Sequence, residues 1–440
     1  MSSPPSPGPE KMSFRKGPGS RVARLPQKAR NSSATRREAV IDAAARRLNR
    51  EGVRDSTLRD LAAELNLTRA ALYYYIEDRE DLVFQAYRRS CDLLARALGQ
   101  AVAGGGGVLE IVSRFVSGAL TPGQPEMAML NELGLLRDDD RATVLALYEG
   151  VVSRLSSLLE GGVRAGEVRP LSPDIVARTV ISMVQGARVV QGFPFHAAIL
   201  EPAAYEALLK DILFRGWATD RRRPIRTGGV NLSSYQIPKV PPFDREALAR
   251  ARREQILITA SRLFNRKGID ATSLDEIAGE LRATKRTLYQ QIGDKKTLVT
   301  ACIRRSLAIT EAIEAQAMRL SEEPGALLDN VVASLSGSAQ VWLWEDIAPM
   351  RMILGFETFT AEARDELIRY ALELGERWRS YFSDLQAAGE VRGVEMAFLM
   401  PMIPTAPAWL SRELFDVDTA RRASIAAEVV DVHRLGLSAL

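Results

Sequence analysis

Apolar side chains between residues 58 and 76 recur with the period of two short helices. The first four are spaced i, i+3, i+4 and i+7, which places Leu58, Leu61, Ala62 and Leu65 on one helix face. That spacing stops at residues 66–67, and Thr68 then stands where its hydroxyl can cap a second helix. The segment therefore predicts two short helices joined by a turn, the helix-turn-helix layout.

The chain carries this pattern a second time, 216 residues later and without a gap. In the second copy Leu274, Ile277, Ala278 and Leu281 form the first apolar face, and Thr284 can cap the next helix. Between residues 52–83 and 268–299, twelve positions are identical: Gly52, Leu58, Ala62, Glu64, Leu65, Thr68, Leu72, Tyr73, Ile76, Asp78, Leu82 and Val83. An amphipathic helix is also predicted before each pair, with Ile41 and Leu48 inward in one copy and Leu257 and Phe264 in the other. The repeat indicates a duplicated three-helix domain.

Helical periodicity continues after each copy. It runs from residue 83 to about residue 217 and is interrupted by glycine- or proline-containing turns, and the second half repeats this plan to residue 440. The motif Ala165–Arg169 recurs at 388–392, which extends the repeat into these regions. One element differs: Pro401, Pro404 and Pro407 stand where the first half has an uninterrupted helical pattern over 175–190. Because an interior proline removes a helix hydrogen bond, we expect a kinked or split helix there.

These patterns predict an all-α protein with two tandem units. The expected segments are a disordered basic tail (1–32, with the first helix starting near Ser33), a helix-turn-helix domain (33–82), a helical domain (83–217), a linker (218–243), a second helix-turn-helix domain (244–298) and a second helical domain (299–440).

The net charge of +4 comes from two segments. Residues 1–30 contribute +6 and residues 218–243 contribute +4, so the remainder of the chain is at −6. Any surface that binds nucleic acid must therefore be a local basic patch on mildly acidic domains. The basic residues of the tail could add phosphate contacts, or could serve only for solubility.

The sequence lacks the residues that several classes of function require. His196 and His433 are isolated, Cys91 and Cys302 are the only cysteines, and no phosphate-binding, dinucleotide-binding or nucleophile-elbow motif occurs. We therefore predict no metal, no cofactor and no enzymatic activity, and we interpret both cysteines as packing residues. The chain has no uninterrupted apolar run of membrane-spanning length and no secretory signal at its N-terminus, so a soluble cytoplasmic protein without membrane contact is expected.

The repeated segment resembles the TetR family of bacterial transcriptional regulators over about fifty residues in each copy. In the first copy the resemblance rests on Glu51-Gly52-Val53, Ser56-Thr57-Leu58, Leu61-Ala62, Leu72-Tyr73 and Asp78-Arg79-Glu80-Asp81-Leu82. In the second it rests on Lys267-Gly268-Ile269, Thr272-Ser273-Leu274, Ile277-Ala278, Thr287-Leu288-Tyr289 and Asp294-Lys295. The resemblance implies two TetR-like units, each with a helix-turn-helix domain and a helical ligand-binding and dimerisation domain. It also suggests that the two units form an intramolecular pseudo-dimer, either as a monomer or with further self-association.

By the same resemblance, double-stranded DNA is the expected partner. The residues expected to face bases are Arg69, Ala70, Lys285, Arg286 and Thr287. Those expected to hold phosphates are Tyr73, Tyr74, Arg79, Tyr289, Gln290 and Lys295, with hydroxyls contributed by Thr57 and Ser273 and the caps Thr68 and Thr284. Because the residues after Thr68 and Thr284 differ, identical half-sites should not satisfy both units.

The helical domains offer candidates for an effector pocket. These are Phe115, Met127, Tyr148 and Met183 in the first half and Trp342, Trp344, Met352 and Phe356 in the second. Apolar residues at helical spacing are usually ordinary core, but a pocket lined by them would suit an apolar small molecule.

Together these observations predict a DNA-binding transcriptional regulator, a ligand-responsive repressor that reads an asymmetric operator. An alternative stays open, in which only the first unit binds DNA and the second half is a scaffold for protein interaction or dimerisation. A three-helix unit that keeps its fold after losing DNA binding would have the same apolar pattern.

Overall fold

The computed structural model describes residues 27–51, 57–121, 123–190, 201–226, 228–237, 241, 243–351, 359, 361–395, 399, 403–410 and 417–440. Throughout these ranges the regular structure is helical, apart from two isolated antiparallel bridges. The α-helices of the first half are α1 (Gln27–Glu51), α2 (Thr57–Glu64), α3 (Arg69–Leu72), α4 (Arg79–Ala103), α5 (Val108–Leu120), α6 (Asp138–Ala165), α7 (Pro173–Val190) and α8 (Pro202–Arg215). Those of the second half are α9 (Arg245–Lys267), α10 (Leu274–Glu280), α11 (Lys285–Ile292), α12 (Lys295–Ala317), α13 (Leu327–Gln340), α14 (Ala361–Ala387) and α15 (Thr419–Arg434).

Both predicted helix-turn-helix pairs are present, as α2–α3 and α10–α11, and the all-α prediction is confirmed. The start of the first helix was predicted wrongly. It begins at Gln27 and not near Ser33, so residues 27–32 of the expected tail are helical, while residues 1–26 lie outside the described residues. A run of Gln, Lys, Ala and Arg contains neither glycine nor proline, so it can extend a helix even though it lacks an apolar face.

Equivalent caps begin the equivalent helices of the two copies. Thr68 accepts a hydrogen bond from the N–H of Ala71 at 3.1 Å, and Thr284 accepts from Thr287 at 3.2 Å. Ahead of α4 and α12, Asp78 and Asp294 accept from the third N–H of the helix at 2.8 and 2.7 Å. These caps satisfy amide groups that a helix start leaves without an intrahelical partner.

The turn inside each helix-turn-helix pair requires a left-handed residue. Asn66 has φ 52° and its equivalent, Arg282, has φ 51°. Asparagine tolerates this region, whereas arginine adopts it at a cost. We expect Arg282→Asn to stabilise the protein by about 0.5–1 kcal/mol. Urea unfolding would measure this, with Arg319→Asn as a control that changes the same side chain outside that turn; an equal effect of both changes would contradict the explanation.

Each helix-turn-helix pair has its own core. In the first copy Leu61, Ala62, Leu72 and Ile76 are buried, and Leu58, Leu65 and Tyr75 pack partly buried against them. In the second copy Leu274, Ile277, Ala278, Leu288 and Ile292 are buried. The predicted inward faces are thus confirmed. A third and larger core contains residues of both halves, including Phe115 and Tyr148 from the first and Phe382 and Trp409 from the second.

The two halves meet through contacts that occur twice with the roles exchanged. Bridges join Val168 to Ser438 and Val391 to Ala218. The Nε of Arg169 donates to the carbonyl of Gly436 at 2.7 Å, and the Nε of Arg392 donates to that of Gly216 at 2.8 Å. Backbone bonds follow the same rule: Ala439 to Glu167 at 3.1 Å and Thr219 to Glu390 at 3.0 Å. We call this set of contacts the reciprocal interface. Contacts that occur twice with the partners exchanged are characteristic of an interface with two-fold symmetry.

Helices complete the contact between the halves, and here the symmetry fails. The Oγ of Ser182 on α7 donates to the carbonyl of Thr405 at 2.7 Å, and the indole N–H of Trp409 donates to Thr179 at 3.2 Å. The described part of that second-half segment is a short 3-10 helix, Ile403–Thr405, followed by turns. This agrees with the split expected from the prolines, although Pro401 lies outside the described residues.

The segment predicted as a linker packs against the second half. Val230 and Leu232 are buried with Ile309 and Ile313. The guanidinium of Arg223 donates to both oxygens of Asp329, at 3.1 and 3.2 Å. Residues 218–226 and 228–237 are therefore not a free coil. The apolar pair was missed because prolines, glycines and arginines surround it.

One described helix, α6, has the length and hydropathy of a membrane span. One face of α6, including Val144, Val151 and Leu155, is buried in the large core. This match rests on length and composition alone, and a helix in the core of a protein meets the same criteria.

Candidate DNA-binding surface

The first helix-turn-helix pair, α2–α3, is called reader 1. Its predicted base-facing residues, Arg69 and Ala70, are exposed. Tyr73 is 41% and Tyr74 68% exposed, which is unusual for large aromatic side chains. A guanidinium N–H of Arg69 donates to the hydroxyl of Tyr73 at 3.2 Å, so the two predicted contact residues lie side by side. Arg79 is half-buried at the start of α4. The side chain of Thr57, the first residue of α2, lies outside those described.

The second pair, α10–α11, is called reader 2. Its predicted contact residues Lys285, Arg286, Thr287 and Gln290 are exposed, and so is Tyr289 at 46%. Ser273 accepts from the N–H of Glu276 at 3.1 Å and so caps α10. Lys295 differs from the others, because it is half-buried and its Nζ donates to the carbonyl of Asp270 at 3.4 Å. Burial lowers the pKa of this ammonium. All these DNA contacts stay predictions.

The two readers differ in charge at equivalent positions. Reader 1 has the exposed Arg59 where reader 2 has the exposed Asp275. In reader 2 the Nζ of Lys285 donates to Asp275 at 2.8 Å, and this hydrogen bond raises the pKa of the lysine. A guanidinium attracts phosphate and a carboxylate repels it, so the readers present different electrostatic surfaces to DNA.

Two equivalent clamps join the helix-turn-helix domains to the rest of their own halves. Asn49 donates to the carbonyl of Met127 and accepts from the N–H of Met129, both at 2.9 Å. Asn265 makes the same pair of bonds with Pro349 and Arg351, at 2.8 and 3.0 Å. These residues were not predicted from the sequence. Their signal was present, because Asn49 and Asn265 are identical residues related by the 216-residue shift.

Serines on the following helices strengthen both clamps. The hydroxyl of Ser90 on α4 accepts from the N–H of Ala128 at 2.8 Å, and that of Ser306 on α12 accepts from Met350 at 2.7 Å. These serines are also related by the 216-residue shift. In each half, one short segment is thus bonded both to the first helix of the helix-turn-helix domain and to the long helix that follows. A displacement of that segment would move the reader.

The candidate pocket residues lie in packed surroundings. Phe115, Met127, Tyr148 and Met183 are buried in the large core. Trp342 and Trp344 are half-buried, and the guanidinium of Arg422 lies 4.9 Å from the Trp344 ring centre. Met352 and Phe356 lie outside the described residues. A role in effector binding stays a prediction for this set.

Both cysteines are buried free thiols, in keeping with a packing role. Burial raises the pKa of Cys302 to about 12, so its reactive thiolate form is scarce near neutral pH. Among the described residues, no cluster of three or more His, Cys, Asp and Glu side chains is arranged to hold a metal ion.

The architecture defines a helical protein with two helix-turn-helix domains, and a family model matches both of them. The model of the tetR family of bacterial regulatory proteins matches twice, at residues 40–86 and 256–302. A tetracyclin repressor-like C-terminal domain matches residues 109–188. These matches support a regulator of the tetR family with two N-terminal units.

Individual relatives are distant. The Transposon Tn10 TetC protein of Escherichia coli is 39% identical over 59 residues, which are 13% of this chain and 30% of the relative. Among solved structures, apo AibR is 20% identical and covers 40% of this chain and 98% of its own, with a TM-score of 0.35. PfmR from Thermus thermophilus, a TetR family transcriptional regulator, is 22% identical and covers 41% and 97%, with a TM-score of 0.36.

Proposed function

We propose that the protein is a DNA-binding transcriptional regulator in which one chain reads an asymmetric operator with two unlike readers. The observation that carries this proposal is the reciprocal interface between the halves. In a homodimer, such exchanged contacts join two chains. Here Arg169 and Arg392 make them within one chain. The protein is on this view a pseudo-dimer that needs no second copy.

Each reader suits the major groove. The second helix of a helix-turn-helix pair lies in that groove with its first residues at the base edges, and paired units read half-sites roughly 34–36 Å apart. The first exposed residues of α3 and α11 are Arg69 and Lys285. Arginine can bind guanine bidentately, and a threonine methyl such as that of Thr287 can contact a thymine methyl. Because the two helices differ, their half-sites should differ.

Release from DNA would come from a small molecule in a helical domain. The clamps at Asn49 and Asn265 would pass a shift of that domain to the readers. A ligand acts only through its different affinities for the two states. The apolar candidate pocket residues suit an apolar effector. We propose that the protein acts as a repressor in the cytoplasm.

Selection from randomised DNA followed by footprinting tests the proposal. The wild-type chain should select one asymmetric site and protect both half-sites. Lys285→Ala should weaken binding by about 1–3 kcal/mol through loss of a base contact, and Tyr73→Ala should weaken it through loss of a phosphate contact. Arg379→Ala, an exposed change on α14, is the control. A wild-type affinity for Lys285→Ala would favour the alternative, in which only reader 1 binds DNA. No selected sequence at all would contradict the proposed function.

A further inference from the structure

A turn of the first half packs tightly against the domain that carries reader 2. The turn contains Glu132 and a short 3-10 helix, Leu133–Leu135, which contacts α9. There is no room between them: a Cβ on Gly134 would come within 2.9 Å of the Lys267 backbone. A Cβ on Gly268, which has φ 103°, would collide with the Glu132 carboxyl group. The first half thus contacts the residues that immediately precede α10.

Glu132 lies at the centre of this contact and is 5% exposed. Its Oε1 accepts from the backbone N–H of Ile269 at 3.1 Å. Its own N–H donates to the hydroxyl of Tyr87 on α4 at 2.9 Å. One residue therefore joins the long helix after reader 1 to the loop before reader 2. A buried carboxyl group is rare unless it has such partners.

Burial and the neighbouring Asp270 favour the neutral form of Glu132 near neutral pH. Burial, followed by the neighbouring Asp270, raises the pKa of Glu132 to about 8. The N–H groups of Ile269 and Ala271 and the ammonium of Lys295 act in the opposite direction. The ammonium of Lys267 is bound to Glu276. A protonated carboxyl still accepts a hydrogen bond, and it avoids an unpaired buried charge.

We propose that Glu132 is a positioning residue that holds the reader 2 domain against the first half and so fixes the separation of α3 and α11. This inference rests on the proposed function for its consequence, because two-site binding requires that separation. The reader 2 domain is then held on two sides, by the bonds of Asn265 to Pro349 and Arg351 of its own half and by Glu132 of the other half. A movement in the first half would shift reader 2 as well as reader 1.

Distance measurements between the readers test the inference without DNA. Ala63→Cys and Gly279→Cys place spin labels at equivalent, exposed positions of α2 and α10. The native Cys91 and Cys302 are buried and should stay unlabelled. We expect a narrow distance distribution for this protein. Adding Glu132→Ala should broaden it or shift its mean by more than about 3.4 Å, the rise of one base pair. Glu132→Gln keeps the acceptor for Ile269 and should retain the narrow distribution.

An unchanged distribution in Glu132→Ala would overturn the inference, and so would equal broadening in Glu132→Ala and Glu132→Gln. If Glu132→Ala does not fold, the comparison is made between the labelled parent and Glu132→Gln at about pH 9.5, where Glu132 ionises. Only the parent should then broaden, and equal behaviour would count against the inference. Broadening in a protein that binds no selected DNA would support the positioning role while rejecting the proposed function.

Discussion

Replacing Gly216 with alanine should destabilise the protein by about 3–4 kcal/mol, through backbone strain and overpacking. Gly216 has φ 64°, and a Cβ there would collide with the backbone of Arg434 and Leu435 from the other half. Gly166→Ala is the matched control, because Gly166 has φ 74° but nothing within 4 Å of its Cβ position. The control should lose only about 1 kcal/mol from strain. Urea unfolding measures both.

The reciprocal position gives an internal check on this prediction. Gly436 has φ 70°, and a Cβ there would lie 2.5 Å from the nitrogen of Gly216. Gly436→Ala should therefore lose about as much stability as Gly216→Ala. Equal, small losses in Gly216→Ala and Gly166→Ala would show that the close contact between the halves does not limit stability.

Charge reversal in reader 2 should abolish most of the affinity for the selected operator. The double change Lys285→Glu and Arg286→Glu places two acids on the exposed start of α11. We expect a loss of roughly 100- to 1,000-fold, because the second reader binds at the high effective concentration set by the first. The dependence of binding on salt should also weaken, since fewer phosphates are neutralised.

The control for this loss is the reversal of two exposed arginines on α14, Arg369→Glu and Arg379→Glu, which changes the net charge equally. A fluorescence titration with labelled operator measures both variants. If reversal on α14 weakens binding as much as reversal in reader 2, the loss reports total charge and not a contact by α11.

The sequence predicted the readers well because their structure is local. The caps Ser273 and Thr284, with apolar positions three and four residues apart, fix α10 and α11 without reference to the rest of the chain. The exposure expected of Arg69 and Lys285 follows from the same spacing. Lys295 was harder to place, because its contact with the carbonyl of Asp270 joins residues 25 positions apart in the chain.

Contacts between distant segments were beyond the sequence pattern. Nothing local distinguishes Glu132 from a solvated acid, and its burial arises only when the first half meets the loop after α9. The packing of Val230 and Leu232 depends likewise on Ile309 and Ile313. The repeat suggested that the two halves pair with each other. It did not predict the contacts of that interface, in which Arg169 bonds to Gly436 and Arg392 bonds to Gly216.

The number of chains on one operator tests the central claim most directly. Native mass spectrometry or sedimentation of the purified complex, on a duplex chosen by selection, gives this number. One chain that protects two unlike half-sites is the result expected for a pseudo-dimer closed by its own reciprocal interface. Two chains on a symmetric site, each protected by a single reader, would contradict the account.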